Sequence, residues 1–375
     1  MLSPATHDLG PDRAAAPDGL AARAVEAAPL KAGFSPDVIA ELFRPWETAR
    51  SVLLAVSGGP DSVALMLLAA EWAHLRATPP LCVATVDHGL RKESRFEAEQ
   101  VARWAAALAL PHKILVWDGG GLKSRIQERA RQARYELLFK YAAEIGADIV
   151  TTAHHADDQA ETILFRLLRG SGLAGLSGMA EACARNGLVH SRPLLQCGKA
   201  ELVALCEAKA HPFLNDPSNQ NPAYARTRMR ALSGFLAEQG LDRNALLRLG
   251  RRAARAEAAL AAQAEIAHAN VIARREPGRF SANFTWLANV PEEIFLRILA
   301  QEIKMLSDEE PILRLARLEA LTHALRHALY AGEAFAGTLG GCAVRLRRDG
   351  TLTLTRESGR RRGLANAQPT PCGQS

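Results

Sequence analysis

Residues 51–62 read SVLLAVSGGPDS, an apolar run followed by two glycines, a proline, an aspartate and a serine. The apolar run from Val52 to Val56 predicts a buried strand, and the pattern from Ser62 to Arg76 predicts a helix. Glycine lets a backbone approach a ligand closely, and the N–H groups of a turn that opens a helix attract anions. The stretch therefore predicts a strand, a phosphate-binding turn and a helix in succession.

The same alternation continues along the chain. Short apolar runs lie at 81–86, 113–117 and 149–153, and helical patterns lie between them at 93–109 and 124–145. Near-continuous apolar strands that alternate with helices are typical of a parallel sheet covered on both faces. We therefore predict an α/β domain with a doubly wound, Rossmann-like parallel sheet, whose ligands bind at the carboxyl ends of the strands. A short helix at 35–48, with Ser35 as its N-cap, precedes this domain.

The sequence changes character after about residue 240. A long Ala/Arg/Glu-rich helix is predicted at 242–273, two further helices at 291–305 and 312–330, and a hairpin at 342–357 that turns at Asp349-Gly350. We divide the chain into an N-terminal arm with a short helix (1–47), a nucleotide-binding domain (48–239) and a mainly helical C-terminal region with a small β-hairpin (240–375). The residues after Glu357 are predicted to be disordered.

Composition narrows the class of protein. A chain of 375 residues suits two or three domains, and it contains no run of the roughly 20 apolar residues that a membrane span needs. The N-terminus has no secretory signal, which predicts a cytoplasmic protein. Six cysteines without CxxC spacing argue against a metal clip or an iron–sulfur cluster. The net charge of +6 is modest, but arginines cluster within 243–255 and 345–348, which fits either a nucleic-acid surface or solvated faces.

The residues of the glycine turn suggest a particular ligand. The hydroxyls of Ser57 and Ser62 can donate hydrogen bonds to phosphate oxygens, whereas Asp61 would repel a phosphate unless it holds Mg²⁺. The GK[ST] ending of a Walker loop is absent. An ordinary glycine-rich turn is the alternative. We favour a cofactor site for ATP and Mg²⁺ that comprises Ser57, Gly58, Gly59, Pro60, Asp61 and Ser62.

This turn resembles the SGGxDS fingerprint of the PP-loop ATP pyrophosphatases, which cleave ATP between its α- and β-phosphates to adenylate a substrate oxygen. Further segments, in their order and spacing, are similar to those of the bacterial tRNA(Ile)-lysidine synthetase family. The similarity covers roughly residues 50–235. The segments are VDHGLR (86–91), ARQARYELL (130–138), TAHHADDQAET (152–162), RPLL (192–195), NDPSN (215–219) and RTRMR (226–230).

The resemblance implies an RNA-modifying ligase. The family adenylates the C2 carbonyl oxygen of the wobble cytidine in a tRNA(Ile) with a CAU anticodon, and the ε-amine of L-lysine then displaces AMP. It implies ATP and Mg²⁺ as cofactors and tRNA and lysine as substrates. Matched motif by motif, it implies catalytic roles for Asp61, Asp158 and Arg134, with the two aspartates as metal ligands. It also implies that Arg226 and Arg228 lie near the nucleotide and the tRNA.

The residues themselves add to this set. An attacking amine must be neutral although its reference pKa is about 10.4, so a nearby carboxylate is useful. Asp157, Asp158 and Glu161 fall on one helical face after a strand, although an acidic first turn stabilised by the helix dipole is the alternative. We add His154, at the end of that strand, to the catalytic set. Asp87 and His88 at the end of an earlier strand join the cofactor-binding set.

Two other functions compete with this interpretation. A tRNA thiolase of the same superfamily would usually carry paired cysteines, and no such pairing is evident in this sequence. A non-catalytic nucleic-acid-binding protein on the same fold would not need Asp61, Asp158 and both glycines intact. Lysine-dependent release of pyrophosphate in the presence of tRNA distinguishes the three.

Overall fold

The computed structural model describes residues 33–75, 78–89, 93–117, 126–214, 232, 234–307 and 313–357. They form two compact units. The first holds the residues up to 170 and from 175 to 251, and the second holds 171–174 and the residues from 252 onward. The predicted boundary at residue 240 stays a prediction. The predicted arm before residue 30, the turn and helix start at 215–224 and the disordered tail lie outside the described residues.

The first unit is built on a six-stranded sheet in the order β3-β2-β1-β4-β6-β5. Strand β1 pairs in parallel with β2 on one side and β4 on the other, β6 is parallel to β4, and β5 is an antiparallel edge strand. This confirms the predicted α/β fold. The strands are β1 (Val52–Ala55), β2 (Leu81–Asp87), β3 (His112–Val116), β4 (Ile149–Thr152), β5 (Ala182–Arg185) and β6 (Leu188–Ser191).

Of the helices of this unit, α1 to α5 were predicted from the sequence, whereas α6 and α7 were not. Residues 173–174 of α6 belong to the second unit. The second helix, α2, is buried without a break from Ser62 to Ala70 and packs against α1 and α7, so the turn that precedes it is held rigidly. The side chain of Ser35 accepts a hydrogen bond from the N–H of Val38 and caps α1, as predicted. The helices are α1 (Pro36–Phe43), α2 (Pro60–Leu75), α3 (Ser94–Ala107), α4 (Ile126–Glu144), α5 (Ala156–Leu167), α6 (Leu173–Leu176) and α7 (Lys199–Ala208).

The second unit combines helices with a five-stranded antiparallel sheet in the order β7-β8-β11-β10-β9. The predicted hairpin is β10–β11, whose turn closes where Gly350, at a φ of +79°, donates its N–H to the carbonyl of Arg347. The strands are β7 (Ala273–Glu276), β8 (Arg279–Asn283), β9 (Phe335–Leu339), β10 (Cys342–Leu346) and β11 (Thr351–Arg356). The helices, which confirm the predicted ones, are α9 (Glu292–Leu306), α10 (Leu315–Ala331) and α8 (Arg243–Ala269), whose residues up to 251 belong to the first unit.

A buried carboxylate within the second unit is paired with an arginine that reaches it from the surface. Glu302 is fully buried, and its two carboxylate oxygens accept hydrogen bonds from Arg275, each at 2.6 Å, and from His268. A buried carboxylate is tolerated only when such partners replace its hydration. No helix among the described residues is long and apolar enough to span a membrane.

Candidate active site

The turn between β1 and α2 is held by its own hydroxyls. The N–H of Ser57 donates to Ser62 Oγ at 3.1 Å, and Ser62 Oγ lies 2.9 Å from the carbonyl of Gly59, to which it donates. The two serine hydroxyls are 3.3 Å apart. Both hydroxyls therefore lie on the inner side of the turn, at the first residues of a helix whose N-terminus attracts anions.

The two glycines of the turn are required for different reasons. Gly58 has a φ of +89°, and a methyl group added to it would lie 2.5 Å from Leu214 Cδ1. Its carbonyl accepts a hydrogen bond from the N–H of Leu214 at 2.8 Å. Gly59 has a φ outside the left-handed region, and a methyl group added to it would meet nothing within 4 Å. Gly58 therefore serves the fold, whereas Gly59 leaves open space beside a cavity.

That cavity lies at the carboxyl ends of β1, β2 and β4. Three of the polar atoms at its wall are buried and have no hydrogen-bond partner among the residues that the structure describes: Asp61 Oδ1, His88 Nδ1 and Arg134 Nε. Each such orphan costs about 1–3 kcal/mol, so their convergence indicates a site shaped for a polar ligand. From the predicted set, the cavity is lined by Ser57, Gly59, Asp61, Ser62, His88, Arg134 and His154.

A buried histidine joins the two predicted catalytic aspartates. His155 Nε2 lies 3.5 Å from Asp61 Oδ2 and 3.4 Å from Asp158 Oδ2. Burial lowers the pKa of His155, but the hydrogen bond to Asp61 and the charges of the surrounding carboxylates outweigh burial and raise that pKa above its ordinary value. The glycine turn and the HHADDQAET segment thus meet at one imidazole. Sequence reasoning noted the two adjacent histidines but assigned only His154.

The neighbouring acid, Asp157, has partners on two sides, and its Oδ2 lies 3.7 Å from His155 Nδ1. Its Oδ2 accepts from the N–H of Lys199 at 2.9 Å, where α7 begins, and from Arg243 at 3.4 Å. Because a carboxylate at a helix N-terminus is stabilised by the orphan N–H groups there, Asp157 acts as a cap for α7. Asp157 therefore both caps α7 and lies near the imidazole that Asp158 contacts, and a functional role for Asp157 stays a prediction.

Asp87 also has local partners. It is buried, and its Oδ1 accepts from Ser94 Oγ at 2.6 Å and from the N–H of Gly89 at 3.0 Å. These bonds hold the segment that carries His88 beside the cavity, and a direct contact of Asp87 with a cofactor stays a prediction. Four described residues of the predicted set do not line the cavity: Gly58, Pro60, Asp87 and Asp158. Arg226 and Arg228 lie outside the described residues.

A chain of polar contacts leads from the cavity into the sheet. Thr152 Oγ1 lies 2.7 Å from His154 Nδ1 and 2.9 Å from His190 Nε2, and Arg192 Nη2 lies 2.9 Å from His190 Nδ1. Burial and the nearby arginines lower the pKa of His154 to about 2 and that of His190 to about 3. Both imidazoles are therefore neutral at physiological pH. Sequence reasoning gave His190 no role, because a lone strand histidine carries no signal of its partners.

Positive charge collects on the same side of the sheet. The guanidinium of Arg134 lies 5.4 Å from the ring centroid of Tyr135, and those of Arg131 and Arg185 lie 5.6 Å and 4.2 Å from it. Stacking on an aromatic face holds a guanidinium in place and leaves N–H groups available for an anion. This arrangement suits a ligand that carries phosphates.

Comparison with known proteins agrees with this geometry. Residues 35–233 match the family model of the PP-loop domain. A tRNA(Ile)-lysidine synthase of Methylobacterium sp. (strain 4-46) is 47% identical over 334 residues, which cover 87% of this chain and 96% of that protein. The tRNA(Ile)-lysidine synthase of Bradyrhizobium diazoefficiens is 45% identical over 303 residues, or 79% and 84% of the two chains.

Among solved structures, the U34-tRNA thiolase of Methanococcus maripaludis with its [4Fe-4S] cluster aligns at a TM-score of 0.49 and 18% identity, over 58% of this chain and 76% of that one. A likeness at that level does not bear on function. The described cysteines are free thiols. The thiolase interpretation therefore has only a distant structural neighbour, whereas the synthases match most of the chain. The chain belongs to the tRNA(Ile)-lysidine synthase family of PP-loop enzymes and is an ATP-dependent ligase that forms a C–N bond.

Proposed function

We propose that the cavity beside the glycine turn is where this chain makes lysidine. The C2 carbonyl oxygen of the wobble cytidine attacks the α-phosphorus of ATP, and pyrophosphate leaves. The ε-amine of L-lysine then attacks C2, loses a proton, and AMP leaves with the C2 oxygen. The observation that supports this most strongly is the convergence of the turn, Asp61, Arg134 and His154 on one cavity with unpartnered polar atoms.

The phosphate-binding part of the proposal follows from the turn. Its remaining N–H groups and the hydroxyl of Ser57 bind oxygens of the β- and γ-phosphates, which become the pyrophosphate, and the hydroxyl of Ser62 joins them by leaving the carbonyl of Gly59. Arg134, whose Nε is buried without a partner, donates to a phosphate oxygen from the opposite wall. Donors that are already in place when charge develops stabilise the transition state without reorganisation.

The acidic residues fit a magnesium ion. Asp61 Oδ1 is buried and has no partner, and the carboxylates of Asp61 and Asp158 lie against one imidazole, so a cation could take two carboxylate oxygens there. Among the described residues no group of three or more His, Cys, Asp or Glu could hold a metal. Mg²⁺ usually takes one or two carboxylates and completes its shell with phosphates and water, so Asp61 and Asp158 could supply its protein ligands. When bound, the ion neutralises charge on the leaving pyrophosphate.

The second half-reaction needs a neutral amine. Lysine is mostly charged near pH 7, so a carboxylate must orient the ammonium group and take up its proton. We assign this role to Asp158, at the first turn of α5, whose carboxylate contacts the same imidazole as the cavity-lining Asp61. Asp158 could therefore either hold the magnesium ion or orient the amine, and a comparison of pyrophosphate release with lysidine formation in Asp158→Asn distinguishes the two roles.

The test uses the full chain with an unmodified tRNA(Ile) transcript that has a CAU anticodon. Mass spectrometry of the nucleosides should show lysidine only when ATP and L-lysine are both present, and pyrophosphate should be released in step with it. Asp61→Ala should abolish pyrophosphate release while the unfolding temperature stays close to that of the wild type. Sulfur incorporation in place of lysine would establish the thiolase alternative. Nucleic-acid binding without turnover, or normal turnover of Asp61→Ala, would contradict the proposal.

A further inference from the structure

A chain of hydrogen bonds runs from Arg192 through His190 and Thr152 to His154, and the donor in each bond can be assigned because a guanidinium cannot accept. A guanidinium only donates hydrogen bonds, so His190 Nδ1, 2.9 Å from Arg192 Nη2, must accept. A neutral imidazole that accepts at Nδ1 carries its proton on Nε2. That N–H points at Thr152 Oγ1, 2.9 Å away, and donates to it.

The same reasoning passes through Thr152. This residue is only 5% exposed, so its hydroxyl hydrogen needs an acceptor within the protein. His154 Nδ1, at 2.7 Å, is the acceptor that the described residues provide, since the other contact of Oγ1 is the donor His190. His154 therefore accepts at Nδ1 and carries its own proton on Nε2. Because Nδ1 is engaged with Thr152, Nε2 is the ring nitrogen left to act on a ligand in the cavity that His154 lines.

We propose that Arg192, His190 and Thr152 are positioning residues that lock His154 in its neutral Nε2–H tautomer, so that His154 donates a hydrogen bond to an oxygen of the substrate and does not act as a base. The identity of that oxygen rests on the function proposed above: it is one that gains negative charge during adenylation, on the α-phosphate or at the former C2 carbonyl. A neutral donor costs no proton transfer, and the cations around it, Arg131, Arg134 and Arg192, disfavour protonation of the ring.

Two adjacent threonines offer a matched experiment. Thr152 is the link in the chain, whereas Thr151 is fully buried with an Oγ1 that has no partner among the described residues. Thr152→Val removes one hydroxyl at constant shape and breaks the relay. Thr151→Val makes the same chemical change one residue away and should leave the relay intact. Thr152→Ser keeps a hydroxyl and should restore it.

The direct readout is the nitrogen chemical shifts of histidines labelled with ¹⁵N in the free full-length protein. The wild type, Thr151→Val and Thr152→Ser should show His154 with an acceptor-type Nδ1 and a protonated Nε2. Thr152→Val should show the two nitrogens averaging between tautomers. Arg192→Met should likewise make the two ring nitrogen shifts of His190 average between tautomers. A protonated Nδ1 on His154 in the wild type, or identical spectra for both valine variants, would overturn the proposal.

Kinetics supply the second readout. Loss of one oriented donor to a developing negative charge lowers kcat by about 100-fold, and we expect Thr152→Val to lose about 10- to 100-fold in kcat with little change in the KM for ATP. Thr152→Ser should recover to within about twofold of the wild type. If the protein makes no lysidine at all, the function proposed above fails, yet the tautomers can still be measured. Equal kcat for the two valine variants alongside a broken relay would show that the tautomer does not matter to the reaction.

Discussion

Replacing Gly58 with alanine should destabilise the first unit by an amount that the turn geometry sets. An L-residue forced into the left-handed region costs about 1–2 kcal/mol, and the φ of Gly58 is +89°. The new methyl would also lie 2.5 Å from Leu214 Cδ1 and 3.2 Å from Val101 Cγ2. Because Cδ1 is the flexible end of a side chain, its displacement adds only about 1 kcal/mol. The sum, about 2–3 kcal/mol, corresponds to a fall of roughly 5–10 °C in Tm for a unit of this size.

Gly59→Ala is the matched control. Its φ lies outside the left-handed region and its methyl would meet nothing within 4 Å, so the Tm should stay within about 2 °C of the wild type. The methyl would occupy the open edge of the cavity, however, and ATP should bind more weakly. The two variants should therefore show opposite patterns, in which Gly58→Ala loses mainly stability and Gly59→Ala loses mainly affinity.

Thermal unfolding followed by intrinsic fluorescence suits this comparison. Trp46 and Trp72 are buried in the core of the first unit, which holds four of the five tryptophans, so the signal reports mainly on that unit. ATP affinity is measured by isothermal titration calorimetry below the Tm of each variant. An unchanged Tm for Gly58→Ala, or an equal loss of stability in Gly59→Ala, would refute the assignment of separate roles to the two glycines.

Three further outcomes follow from the site and from the charged helix. Asp158→Asn should lower lysidine formation by at least about 100-fold. If Asp158 orients the amine, the variant should still release pyrophosphate, whereas if Asp158 holds the ion, the variant should lose both lysidine and pyrophosphate. Unimpaired turnover would remove Asp158 from the site. Three arginines of α8 are exposed and suit a matched triple substitution by alanine: Arg248, Arg252 and Arg255. The triple variant should bind tRNA more weakly and show a salt dependence lower by roughly one slope unit per lost phosphate contact, with ATP affinity unchanged. If the plots of tRNA affinity against salt concentration coincide for the variant and the wild type, the helix serves only as a scaffold. The folded pKa values of His154 and His190, about 2 and about 3, lie below the unfolded value of about 6.5. The stability that these neutral imidazoles contribute is therefore complete above pH 6.5 and is lost as the pH falls toward the folded pKa values. At pH 5 the loss is about 1–2 kcal/mol for each histidine. The Tm of His190→Gln should fall less steeply from pH 7.5 to 5, and an identical pH slope would count against this origin of acid sensitivity.

Much of the first unit could be predicted from sequence because its strands and helices differ in period. The apolar runs that became β1, β2 and β4 are largely buried, whereas β3 buries only Leu115 and was recognised by its place between two helical patterns. The β5–β6 hairpin was not predicted, since ACAR and LVHS are four-residue segments of mixed polarity. In the second unit, β7 reads ARRE and has three exposed residues, so neither alternation nor hydrophobicity marks it.

The residues of the site also differ in how far the sequence alone could predict their positions. Asp61 and the glycines were identifiable because their chemistry is local to one turn. The bridging position of His155 was not, because it depends on β4 lying beside β1, a long-range pairing that no local pattern encodes. Asp157 and Asp158 are adjacent and chemically identical, and only the position of α7 decides that Asp157 is used as a cap.

The strand order has a consequence for synthesis on the ribosome. The turn after β1 and the segment after β4 lie side by side, yet about a hundred residues of crossover connections, β2 and β3 separate them along the chain. At about 5–20 residues per second, the growing chain spends roughly 5–20 s with the glycine turn made and its partner carboxylate still unsynthesised. Nascent chains that end before β4 therefore lack both Asp158 and His155, so the contact between His155 and Asp61 can form only when β4 takes its place beside β1.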